Sequence, residues 1–264
     1  MNASGAGLLH FVTRHPVRGA ILFWILFFLI STLAGFIVLI VRLPVLGLVG
    51  FSEAVLGIAG IGLLSMFGWW RRAGYLSIGG RRDLVLYLLP FAIALLLLTG
   101  GIPATPAVMV IEFAAVSAVV GFAEETFFRG LILQSLIPAG ALRAVLVSAA
   151  LFALPHLANA IGGLWDPIFT IADTIAAFGI GVTFAALLIR TGTIWPLIGL
   201  HALIDFTSLL ATGTLVVPAQ SSVDIAITAG TGVLLTAYGL VLLRIGKGRV
   251  PDMPGTNPDR RLLH

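Results

Sequence analysis

The stretch "GFAEETFFRG", residues 121–130, places two adjacent glutamates inside an apolar run that covers 106–128 and, four residues after the second, an arginine at its very end. The rest of the chain explains why that matters. Of its 264 residues 59% are hydrophobic and 10% charged, and the mean hydropathy is +1.12, which excludes an ordinary soluble domain. Similar runs occupy 19–41, 52–70, 83–99, 144–160, 168–189, 194–211 and 223–243, with 83–99 and 144–160 the shortest. Each is long enough, or nearly so, for a helix crossing a hydrocarbon layer of about 30 Å. The expected fold is therefore all-α: a polytopic integral membrane protein of about eight transmembrane helices, with charges buried among them.

The first run follows Arg14 and Arg18, yet it is too long for a signal-peptide core, ends at Arg42 without a small-residue cleavage site, and precedes seven more. It is read as a retained helix. With the N-terminus in the cytoplasm, the inner segments carry Arg14, Arg18, Arg71, Arg72, Arg81, Arg82, Arg143, Arg190, Arg244, Lys247, Arg249, Arg260 and Arg261, and the outer loops carry only Arg42. That bias predicts both termini in the cytoplasm. Trp69, Trp70, Trp165 and Trp195 fall at predicted helix ends, as interfacial anchors do. The net charge of +4 thus reflects topology and attraction to anionic lipid, and nucleic acid is not an expected partner. The absence of cysteine rules out disulfides and a thiol nucleophile.

The expected organisation is a cytoplasmic N-terminus (1–18), three transmembrane helices (19–104) with a basic cytoplasmic loop at 71–82, a core carrying the chemistry (105–212), a last helix (213–244) and a disordered basic tail (245–264). The protein is expected in a membrane, that of a bacterial cell, with the lipid bilayer as a partner.

A charge at the bilayer centre costs at least ~2.5 kcal/mol, so each needs a partner or a purpose. The candidates are Glu53, Glu112, Glu124, Glu125, Arg129, His156, Asp173, His201 and Asp205. Three groups repeat at a spacing of four: Glu125 with Arg129, Phe152 with His156 in "FALPH", and His201 with Asp205 in "HALID". On a helix, positions four apart share a face. Assigning Arg129 to Glu125 as a buried ion pair leaves Glu124, about 100° round the helix, without a countercharge. An unpaired carboxylate in a low-dielectric cavity is a capable general base. His156 and His201 could share its proton traffic or hold a metal. Pro155 invites a kink beside them. Glu53, Glu112 and Asp173 lack patterned neighbours and read as structural or lining residues, and Phe127 and Phe128 as ordinary packing.

Proton-coupled transport would also use buried carboxylates and histidines, but the polar groups cluster in one half of the chain with no repeat to match. No H-E-x-x-H and no G-x-S-x-G occurs. A water-activating site of glutamates and histidines remains.

E-E-x-x-x-R at Glu124, Glu125 and Arg129, F-x-x-x-H at Phe152 and His156, and H-x-x-x-D at His201 and Asp205, in that order, resemble the CPBP family of intramembrane proteases. That family includes the CAAX prenyl proteases and the bacterial Abi-type proteins linked to bacteriocin self-immunity. The resemblance covers roughly 105–212. It implies an intramembrane endopeptidase acting on a peptide or membrane-protein substrate, of CAAX-type prenylated or other membrane-associated kind. Glu124 and His156 would activate a water, His201 and Asp205 would lie near the oxyanion, and Glu125, Arg129 and Phe152 would support them. Position 205 is Asp where the prenyl proteases carry Asn, and an ionised Asp cannot donate to an oxyanion. Zinc or another divalent metal, held by His156, His201, Glu124 and Asp205, is a candidate cofactor that the chemistry does not require. A non-catalytic scaffold or immunity protein and a proton-coupled transporter are the alternatives.

Overall fold

The computed structural model describes residues 3–42, 44–161, 165–215 and 220–245, so most of the expected tail lies outside the described residues. The described chain is helical throughout, with no strand: α1 (Ala3–Arg14), α2 (Pro16–Val41), α3 (Val45–Phe67), α4 (Leu88–Leu96), α5 (Ala107–Glu125), α6 (Leu133–Leu136), α7 (Ala141–Ala153), α8 (Ala158–Ile161), α9 (Pro167–Thr191), α10 (Trp195–Thr212) and α11 (Ser222–Ile245). Short 3₁₀ or π pieces extend several of these, giving eight continuous helical segments long and apolar enough to cross a membrane. The expected all-α fold with eight such helices is what the chain adopts. The expected N-terminal segment 1–18 contains α1, which folds back on α2 through Val12 against Gly19.

Two boundaries moved, and both bear on function. The second helix begins at Val45, capped by Pro44, instead of near 52, because "VLGLVG" is apolar enough to continue it toward the membrane surface. Glu53 therefore sits two turns inside the helix instead of at its mouth. The fourth spanning segment runs on from α5 to Ala139. It crosses a π-helical stretch, Thr126–Ile132, that directly follows the two glutamates. Such wide turns recur at functional sites, where they re-aim side chains.

The connections sort to two ends of the bundle. At one end the 68–80 segment packs on the α9–α10 turn: Ile194 N–H donates to Gly74 O (3.3 Å), Thr193 Oγ1 to Ser77 O (2.7 Å) and Trp195 Nε1 to Tyr75 O (3.0 Å). Gly74 and Gly79 turn this segment with φ of 84° and 75°, and no side chain would fit at Gly74 against Leu188 and Ile194. At the other end Trp165 Nε1 donates to Leu215 O (3.1 Å), and Gly213 lies by Pro103.

Between the ends, α9 is the most enclosed helix. A Cβ on Gly179 would overlap the backbone of Gly232, and one on Gly239 the backbone of Thr183, so α9 and α11 touch main chain to main chain. Small residues serve membrane bundles this way, since lipid gives apolar faces no drive to leave it and close packing must supply the attraction. The crossing that makes the site is α5 on α10. A Cβ on Gly121 would come within 2.9 Å of Ala202 N and Ile198 O, and 3.3 Å of His201 Cβ. A third contact runs along α3: Gly50 faces Val116, Gly57 faces Phe122 and Gly60 faces Thr126, so α3 and α5 descend side by side in the same direction.

Gly121→Ala should lower the melting stability of the purified protein by about 1–3 kcal/mol through overpacking. Gly199→Ala, where a methyl meets nothing within 4 Å, should be neutral. Equal melting of the two variants would mean that α5 and α10 do not cross at Gly121.

Candidate active site

Arg129 is fully enclosed, and its Nε lies 3.1 Å from Glu125 Oε2, itself fully enclosed. The contact is an ion pair whose angles fall short of a hydrogen bond, and the other two guanidinium nitrogens have no hydrogen-bond partner among the described residues. Aromatic faces take their place: the guanidinium carbon is 4.5 Å from the centre of the Phe152 ring and 5.6 Å from that of Phe184. A cation over a desolvated ring gains roughly 2 kcal/mol, which offsets part of the missing hydration.

The second Glu125 oxygen holds His201. His201 Nδ1 is 2.9 Å from Glu125 Oε1, so the ring is fixed as an Nδ1–H donor to the carboxylate. That leaves Nε2 facing two more carboxylates, Glu124 Oε2 and Asp205 Oδ2, each at 3.7 Å. These are electrostatic contacts longer than a hydrogen bond. Glu124 and Asp205 are the open members of the group, their side chains 21% and 29% exposed against 0% for Glu125.

His156 reaches the same place from another helix. At Pro155 the end of α7 passes into a 3₁₀ turn, Leu154–Leu157, because proline has no N–H for the α pattern. His156 Nδ1 is buried with no hydrogen-bond partner. The Phe152 ring stands between the histidines, 5.6 Å from His156 and 5.8 Å from His201. Asp205 lies within electrostatic reach of both His156 and Asp173, which bring α9 into the group.

All seven motif residues, Glu124, Glu125, Arg129, Phe152, His156, His201 and Asp205, thus belong to one assembly. Three others join them: Glu53 and Asp173, which the sequence reads as structural or lining residues, and Tyr75, which it does not single out. Glu53 on α3 is in electrostatic contact with Glu124, His201 and Asp205, and its Oε2 is buried without a hydrogen-bond partner. The signal was its depth, which the late start expected for that helix concealed. Asp173, also with an unpartnered oxygen, faces His156. Tyr75 closes the group from the 68–80 segment, its hydroxyl hydrogen-bonded to Thr126 at 2.5 Å. Burial pushes the Tyr75 phenol up to about 12, with the Thr126 bond acting the other way and nearby Glu125 adding to the rise, so it stays a neutral hydroxyl. Glu112, by contrast, is exposed and outside the assembly.

Among the described residues no three His, Asp, Glu or Cys side chains are arranged to hold one ion. His201 Nδ1 is committed to Glu125, and its Nε2 stands off both carboxylates.

Residues 106–207 match the family described as type II CAAX prenyl endopeptidase Rce1-like. This is a protease family, and the Rce1-like segment contains all seven motif residues. It spans α5 to α10 and leaves out α3, the source of Glu53. No curated protein and no solved structure matches the chain.

Arg129→Ala should cost about 3–5 kcal/mol of stability, because Glu125 is left as an unpaired buried charge. The double variant Arg129→Ala/Glu125→Gln should recover part of that loss in thermal melts. Equal melting of wild type and Arg129→Ala would mean that the ion pair does not carry the charge balance.

Proposed function

We propose that this protein is an intramembrane endopeptidase that hydrolyses a peptide bond with water activated by Glu124 and His156. The observation that carries the reading is the convergence, within a Rce1-like segment, of an accessible carboxylate, a second histidine and a carboxylate-fixed imidazole.

Glu124 removes a proton from water as the oxygen attacks the scissile carbonyl, with His156 holding or relaying that proton. The carbonyl oxygen takes up negative charge and accepts from Nε2–H of His201 as an imidazolium, whose Nδ1–H is given to Glu125 and whose charge Glu124, Glu125 and Asp205 surround. A donor placed in advance inside a water-poor site supplies roughly 3–4 kcal/mol of transition-state stabilisation. The proton taken from water then passes to the leaving nitrogen, the C–N bond breaks, and a carboxyl and an amine depart. Asp205, an acceptor when ionised, orients the His201 ring. Arg129 fixes the charge of Glu125, and Phe152 holds Arg129 and spaces the two histidines.

The substrate is the polypeptide of a membrane-associated protein, CAAX-type prenylated or otherwise. The protein resides in a membrane with its basic end, which carries the 68–80 segment and both termini, in the cytoplasm.

Mass spectrometry of new peptide termini in membranes holding wild type or Glu124→Ala tests the reading. Termini made by wild type should fall by about 10²–10⁴-fold in Glu124→Ala and His156→Ala at equal, folded abundance. Identical termini in all three would remove the mechanism, and stable capture of a partner with no cleavage would turn the reading to a scaffold.

A further inference from the structure

A cavity of about 200 Å³ lies against the site and away from the 68–80 segment. Its inner limit is Asp205, and it follows α10 outward past Ser208 to Thr212 and Leu215. Val49 of α3, Val116 and Val120 of α5 and Leu209 of α10 give it apolar walls. Trp165, bonded to Leu215 O, forms its rim.

Ser117 is the telling residue in the wall. It is 1% exposed, and its Oγ has no hydrogen-bond partner among the described residues. Apart from Ser52, the other buried serine and threonine hydroxyls among the described residues donate to backbone carbonyls, as those of Ser135, Ser148, Thr170, Thr183 and Thr207 do. A serine in an apolar helix ordinarily does the same. Ser117 stands two turns from Glu124 along α5, so its hydroxyl is kept for something that lies in the cavity beside the site.

The opposite approach is closed. The Tyr75 ring packs edge-on against Trp195, with centres 5.4 Å apart, and lies 6.3 Å from Phe122, and the backbone bonds of the 68–80 segment to the α9–α10 turn lie behind it.

The charge of the cavity is one-sided. Among the described residues no Lys, Arg or His lines it. Asp205 does, Glu53 lies one turn along α3 from Val49, and Glu124 one turn along α5 from Val120. Arg129 is spent on Glu125, and the His201 ring behind Asp205 is shared among Glu125, Glu124 and Asp205, so neither cation is left over for the cavity.

We propose that this cavity is the subsite for the stretch of substrate beside the scissile bond, reached from the Thr212–Leu215 end, and that it takes uncharged or basic residues and rejects acidic ones. The assignment as a substrate subsite rests on the endopeptidase reading. An extended peptide matches the lining: apolar side chains meet the valines, and backbone amides meet Ser117, Ser208 and Thr212. A free terminal carboxylate finds no cation there.

The chain has no cysteine, so Ser117→Cys gives a single thiol in the wall and Thr212→Cys a second at the rim. Each variant, in lipid nanodiscs and with a melting temperature matching wild type, is treated with cationic and with anionic water-soluble methanethiosulfonate reagents. Both thiols should react, the cationic reagent faster at Cys-substituted position 117 by about tenfold, and Asp205→Asn should shrink that preference. Absence of reaction at 117 with reaction at 212, or equal rates for the two reagents, overturns the proposal. In parallel, apolar peptides differing only by Gln, Lys or Glu at successive positions are offered to wild type. Cleavage should survive Lys and fall about tenfold or more with Glu on one side of the bond. Cleavage indifferent to Glu overturns the subsite while the endopeptidase reading stands. Cleavage of none of the peptides, with no new termini in membranes, removes that reading and the substrate assignment, and the thiol rates then decide the charge of the cavity alone.

Discussion

A guanidinium with no exposed surface sits at the centre of this bundle, and the neighbouring arrangement answers to it. Arg129 cannot be deprotonated cheaply, and lipid offers no water to hydrate it. The protein meets the cost with one carboxylate and two aromatic faces. Because Glu125 has two oxygens, neutralising Arg129 with one leaves the other to grip His201, so a structural necessity on one helix becomes the orientation of an imidazole on another. Phe152 extends the chain of dependence to His156. Removing the arginine would disturb the electrostatic balance of groups that never touch it.

That arrangement requires helices to approach more closely than ordinary side chains permit. Gly121 brings α5 and α10 together where the glutamates and His201 meet, and Gly50, Gly57 and Gly60 do the same for α3 on α5. The glycines set the distances, and the charged residues set what the distances accomplish. Where α9 meets α11, the same device supports the side of the bundle that carries no motif.

Much of this was legible in the sequence. Eight apolar runs gave the fold class, since a chain that prefers lipid over such lengths has few structures open to it. The spacing of four marked Glu125 with Arg129 and His201 with Asp205, because a helix puts such pairs on one face. Glu53 was named but read as structural or lining for a physical reason: helix ends in apolar sequence are weakly marked, and a shift of two turns moves a glutamate from the helix mouth to the interior. Asp173 and Tyr75 were hidden because their partners lie on other elements, and one sequence does not say which helices are neighbours. The 3₁₀ turn at Pro155 and the π stretch after Glu125 likewise arise from tertiary packing that local pattern does not encode.

The site is assembled from α3, α5, α7's 3₁₀ extension, α9 and α10, so its earliest member, Glu53, is synthesised long before its latest, Asp205. A growing chain threaded into the membrane would hold unpaired glutamates in lipid until the seventh spanning segment arrives. The cluster of Glu53, Glu124, His201 and Asp205 is therefore complete only once that segment has inserted beside the earlier ones.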